Sequence, residues 1–120
     1  MNAFKAITQA LAPMGYPCKP YLYDGKEPKY FVYNYALIQG ADFGSDAPGT
    51  TVASVQVHLY MPVTDPKTHS KLNYRSDMLA ARDALFSAGF TFPEITILRE
   101  DTEDMWHIVF ECEYEETFEE

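Results

Sequence analysis

The sequence predicts an α+β fold in the order αββαββ, with one mainly antiparallel sheet and two helices packed on a single face of it. Three observations carry the prediction. Two segments place apolar residues at helical spacing, and four others are rich in β-branched and aromatic residues. The last of these alternates strictly, with Trp106, Ile108, Phe110, Cys112 and Tyr114 on one side and His107, Val109, Glu111, Glu113 and Glu115 on the other. Successive strand residues point to opposite faces, so this closing strand has one face for a core and one for water.

Asn2 is a suitable cap for a first helix over residues 3–14, where Phe4, Ile7, Leu11 and Met14 share a face and Gly15 with Pro17 stops it. Residues 16–29 carry Pro17, Pro20, Gly25 and Pro28 and read as a connector with a short extended piece at 21–23. Residues 30–38, YFVYNYALI, form the first long strand. The segment 39–49, QGADFGSDAPG, has the Gly, Pro, Asp and Ser of a long flexible loop. Residues 51–61 form the second strand, with Ala53, Val55, Val57, Leu59 and Met61 on its apolar face, and Pro62 ends it.

Asp65 followed by Pro66 suggests a capped start for a second helix running to about residue 88, with Tyr74, Met78, Ala81 and Leu85 as its stripe and Gly89 as its stop. A third strand is expected at 95–99. Residues 100–104 form an acidic turn into the closing strand, and 115–120 form an acidic tail.

At 120 residues the chain is read as one domain, 1–120, large enough to bury a core. The net charge of −9 is unevenly placed. Residues 1–99 hold nine Lys and Arg against eight acids, and residues 100–120 hold ten acids and no Lys or Arg. Such a surface repels phosphate, so no specific nucleic-acid binding is expected. No apolar run reaches the length of a membrane span and no leader-like segment is seen, so a soluble protein made in the cytoplasm is expected. Cys18 and Cys112 fit no metal or redox pattern and are read as reduced thiols, Cys112 in the core.

Few residues suggest chemistry. His58 and His107 would share the solvent face if the second and closing strands are neighbours, and with Glu111 they would approach a metal set, although plain surface histidines are the preferred reading. Glu111 and Glu113 form a carboxylate pair without the apolar pocket that separates an acid from a base. The loop residues Asp42 to Asp46 resemble part of a calcium loop but lack its bidentate Glu. Cys18 beside Lys19 has no partner that would make it a nucleophile. No catalytic residue, cofactor or metal is therefore assigned. Tyr30, Tyr33, Tyr35 and Tyr60 are expected to fill the core, with an intersubunit surface as the alternative.

The run VASVQVHLYMPVTDPKTHSKLNYRSDMLAARDALFSAG at 52–89, with WHIVFECEYEE near the C-terminus, resembles the tail-terminator, or tail-completion, proteins of long-tailed bacteriophages. The resemblance covers most of the chain through the order and spacing of its elements. It implies a structural protein without cofactor that forms a six-membered ring of identical copies, caps the tail tube and docks the head connector. Assembly in the host cytoplasm and a place at the neck of the virion would follow. On that reading Glu111, Glu113 and Glu115, with Glu116, Glu119 and Glu120, line a lumen or docking surface. Lys71, Arg75 and Arg82 on the second helix make intersubunit contacts, and the loop carrying Asp42, Phe43 and Asp46 touches the tube. The alternatives are another neck or connector protein, an acidic DNA mimic and, less favoured, a small hydrolase.

Overall fold

The computed structural model describes residues 1–40, 50–100 and 104–117. Its elements are α1 (Ala3–Leu11), a 3-10 turn (Ala12–Met14), β1 (Cys18–Pro20), β2 (Tyr30–Gly40), β3 (Thr50–Pro62), α2 (Arg75–Ser87), β4 (Glu94–Glu100) and β5 (Met105–Thr117). The expected αββαββ order is present, with β1 as an added edge strand. Asp42, Phe43 and Asp46, the middle of the acidic turn, and Glu119 and Glu120 lie outside the described residues.

One mixed five-stranded sheet has the order β1-β2-β3-β5-β4. Among the described strands only the β1–β2 pair is parallel. The pairing of β3 with β5 runs unbroken from Thr50↔Thr117 to Pro62↔Met105 and sets the parity of the sheet. Ala53, Val55, Val57, Leu59 and Met61 of β3 lie on one face with Ile108, Phe110 and Cys112 of β5, and all are buried. Both helices cover that face. Ile7 and Leu11 of α1 join Met78, Ala81 and Leu85 of α2 in the same apolar cluster. Trp106 and Tyr114, at the ends of the closing strand, pack on Tyr74 and Phe90 at 4.8 and 4.7 Å.

The helix boundaries follow from hydrogen bonding. The Asn2 side chain accepts from the Lys5 N–H at 2.8 Å, as expected of a cap, and Gly15 leaves the turn at φ 80°. The expected helix start, with Asp65 as cap and Pro66 as first residue, is wrong by nine residues, since α2 begins at Arg75 with Tyr74 at the cap position. The Asp65 carboxylate accepts from the Lys67 and Thr68 N–H groups at 2.8 and 3.2 Å, and those bonds hold its pKa below the usual range. They close a turn rather than open a helix. His69 then takes φ 60°, and the Leu72 N–H returns to the Val63 carbonyl at 2.9 Å. The same Asp chemistry serves both structures, so the sequence signal was ambiguous. Lys71 consequently lies in this loop, bridged to Thr64, and not on a helix.

Two further corrections concern the ends of the sheet. The short extended piece is Cys18–Pro20, not 21–23, because Tyr21 has φ 65° and leaves the strand. Glu116 is no part of an exposed tail. It has the parity of the core face and is 9% exposed. One carboxylate oxygen accepts from the Ala3 N–H at 2.6 Å and from the Tyr35 hydroxyl at 2.7 Å. It thus satisfies a donor left free at the start of α1, where the helix dipole favours an anion. Burial and this bond push the Tyr35 phenol above its ordinary pKa.

Replacing Glu116 by Ala should cost about 2 kcal/mol in urea unfolding, since it orphans two donors. In a double-mutant cycle with Tyr35→Phe, the combined loss should fall short of the sum of the single losses.

Candidate functional site

The face of the sheet without helices has two unlike halves. Across β2, β3, β5 and β4 its rows are Tyr30–Tyr60–His107–Leu98, then Val32–His58–Val109–Thr96, then Asn34–Gln56–Glu111–Glu94. Beyond the Glu94↔Glu111 pair β4 has ended, and Ser54–Glu113 and Val52–Glu115 continue on β3 and β5. The first half is aromatic and the second acidic.

In the aromatic half, Tyr23 lies 4.5 Å from Tyr30, Tyr30 5.1 Å from Tyr60, and Tyr60 4.2 Å from His107, centroid to centroid. His58 stacks on His107 at 5.0 Å. The four tyrosines expected in the core therefore divide. Tyr33 and Tyr35 pack on Phe4 of α1 at 4.7 and 4.3 Å, whereas Tyr30 and Tyr60 belong to the open face.

A polar chain crosses this half from strand to strand. The Asn34 amide nitrogen donates to Gln56 Oε1 and to the Tyr35 carbonyl, both at 3.3 Å, which leaves Asn34 Oδ1 facing His58 Nε2 at 3.0 Å. His58 Nδ1 meets His107 Nε2 at 2.8 Å, and His107 Nδ1 meets Glu100 Oε1 at 3.0 Å. Burial, and then the neighbouring His107, hold the His58 pKa below its ordinary value. The outer nitrogen of each ring therefore donates to an oxygen, His58 to an amide and His107 to a carboxylate. Strand order alone brings the two histidines together, as the sequence anticipated for neighbouring strands. Glu111 does not join them, and among the described residues no group of three or more His, Cys, Asp and Glu is placed to hold a metal ion.

Glu111, Glu113 and Glu115 are all exposed on the acidic half. Ser54 Oγ donates to Glu113 at 3.3 Å, and Glu94, Glu111 and Glu113 border a depression of about 350 Å³. Arg75 is exposed at the start of α2. Arg82 is occupied within the chain, pairing with Asp83 at 2.9 Å and lying 5.1 Å over the Phe92 ring.

A wider cavity of about 930 Å³ opens beside Tyr16, Lys29 and Leu72. Two of its lining side chains, Tyr16 and Lys29, are tied to Asp77 of α2. Tyr16 donates to Asp77 at 3.0 Å, and Lys29 reaches the other Asp77 oxygen at 3.3 Å. Burial and Asp77 raise the Tyr16 pKa. Burial lowers that of Lys29, but its bonds to Tyr16 and Asp77 outweigh burial and raise it overall. The cluster ties the first turn of α2 to the start of β2.

Together these features define a two-helix α+β sheet protein whose free face carries an imidazole chain beside a carboxylate ladder. No protein-family model and no curated protein matches the chain. Among solved structures the fold is similar to that of a chain described as "Virion of native gene transfer agent (GTA) particle". The TM-score is 0.54 at 15% identity, over 95% of this chain and 95% of the other. At that identity the likeness is one of fold.

Burial pushes the thiol pKa of both Cys18 and Cys112 up to about 12, for Cys18 against the opposing effect of Lys19. Both thiols should therefore stay protonated at pH 8 and react slowly with a thiol reagent in the native protein. Both should react fully once urea is added. A fast native reaction at one thiol would contradict this.

Proposed function

We propose that this chain is a structural virion-assembly protein of the tail-terminator type, which forms a ring of identical copies and uses the helix-free sheet face as a lumen or docking surface. The observation that carries the reading is the fold likeness, over nearly the whole of both chains, to a chain of a gene transfer agent virion. The sequence resemblance to tail terminators points the same way.

The chemistry of the open face agrees. The carboxylates of β5 stand on one ladder, with Glu111, Glu113 and Glu115 two residues apart, and like charges so placed repel a passing phosphate backbone. They also attract a basic rim on a partner such as a tube or connector protein. Arg75 and Lys71, exposed at and just before the start of α2, would meet acidic groups of a neighbouring copy in a head-to-tail contact, and the segment with Asp42, Phe43 and Asp46 would contact the tube.

Native mass spectrometry of the purified protein, with electron microscopy of tail tubes after its addition, tests the reading. A closed oligomer, or density at one tube end, is the expected result. A strict monomer that never binds tubes is the contrary one. The triple variant Glu111→Gln, Glu113→Gln and Glu115→Gln should melt within about 0.5 kcal/mol per site of the parent, because these groups are exposed. It should nonetheless lose tube or connector binding and the salt dependence of that binding.

A further inference from the structure

We propose that His58 Nδ1 and His107 Nε2 form a two-donor seat for a divalent transition-metal ion, Zn²⁺, Ni²⁺ or Cu²⁺, on the open face of the sheet. The inference does not rest on the virion reading.

The argument begins with the outer nitrogens. Asn34 Oδ1 lies 3.0 Å from His58 Nε2, and Glu100 Oε1 lies 3.0 Å from His107 Nδ1. A carbonyl or carboxylate oxygen can only accept, so each outer nitrogen carries a hydrogen. In neutral rings the inner nitrogens are then bare, and their lone pairs face each other at 2.8 Å. A single proton shared as N–H···N can fill that gap, and a metal ion on which both lone pairs converge can take its place.

A metal-bound histidine usually donates its other ring N–H to a carboxylate or carbonyl, which fixes the tautomer and aims the free nitrogen at the ion. Both rings here have that arrangement, supplied by two further strands. Tetrahedral Zn²⁺ with Zn–N bonds of about 2.0–2.1 Å needs its two nitrogens about 3.3 Å apart. The pair therefore has to open by only about 0.5 Å from its present spacing.

The surrounding charge favours a cation. The open-face positions of β2, β3, β4 and β5 hold Glu94, Glu100, Glu111, Glu113 and Glu115 and no Lys or Arg. Among the described residues, the Tyr60 ring stacks on His107 and the Tyr30 ring lies beyond it. Water must fill the other coordination positions, and the His107 side chain is 12% exposed to it. Imidazole donors select the borderline transition metals over Mg²⁺ and Ca²⁺, which prefer oxygen.

Calorimetric titration of the full chain with ZnCl₂, supported by Cu²⁺ electron paramagnetic resonance for nitrogen coordination, tests the proposal. One saturable ion per chain is expected. His58→Gln or His107→Gln should weaken it by at least about tenfold, and Glu100→Gln, which keeps both donors, by about 10–100-fold. His69→Gln should bind as the parent does, and millimolar Mg²⁺ should not displace the ion. Thermal melts of each variant separate lost binding from lost folding, and Glu100→Gln, altered at a half-exposed carboxylate, is the variant best able to fold. Absence of saturable binding, binding unaltered in both histidine variants, loss in His69→Gln, or displacement by Mg²⁺ would each overturn the proposal.

Discussion

The structure depends on the antiparallel register of β3 against β5. Thirteen consecutive residue pairs hold it, and every other placement follows from its parity. Because side chains alternate with a period of two, a slip by one residue would send Ile108, Phe110 and Cys112 to water and Glu111, Glu113 and Glu115 into the core. No isoenergetic neighbouring register exists when one face is this apolar and the other this acidic. The same register puts Tyr60 beside His107 and so sets His58 within reach of it. The core and the open face are two consequences of one pairing.

That dependence explains what could be read in advance. The alternation of the closing strand and of β3 is a local property of the chain, so their faces and the buried residues were legible. The α+β order and the stop at Gly89 were legible for the same reason. Glu116 should have been legible too. The alternation that assigns Glu115 to the open face assigns its neighbour to the core, although a run of acids is ordinarily solvated. The missing signal was the partner, since no local pattern reveals that Tyr35 and the first N–H of α1 converge on that carboxylate.

Other features were hidden for stated physical reasons. Asp65-Pro66 is equally good chemistry for a turn and for a helix cap, and the choice was made by the return of Leu72 to Val63, a contact outside the local window. The parallel strand β1 is three residues long and has no periodicity to detect. The histidine chain runs across strands rather than along one. Its four members, separated in sequence by 24, 49 and 7 positions, meet only once the strand order is known.

The open face also shows a division of labour that follows from where β4 stops. The imidazole chain lies where four strands stand side by side, so Asn34, His58, His107 and Glu100 each come within hydrogen-bond distance of a group on the next strand. Past Glu94 the sheet narrows, and the Glu113 N–H and carbonyl turn instead to Thr91, at 2.9 and 3.0 Å. The ladder beyond has few neighbours and remains exposed. Fixed, mutually bonded groups suit recognition at contact distance, where an ion or a side chain must fit. Exposed like charges act over about a Debye length, roughly 8 Å at physiological salt, and shape the approach of a charged partner before contact. A face that combines the two can steer with one half and fit with the other, and the parity of β5 places both on the same side of the sheet.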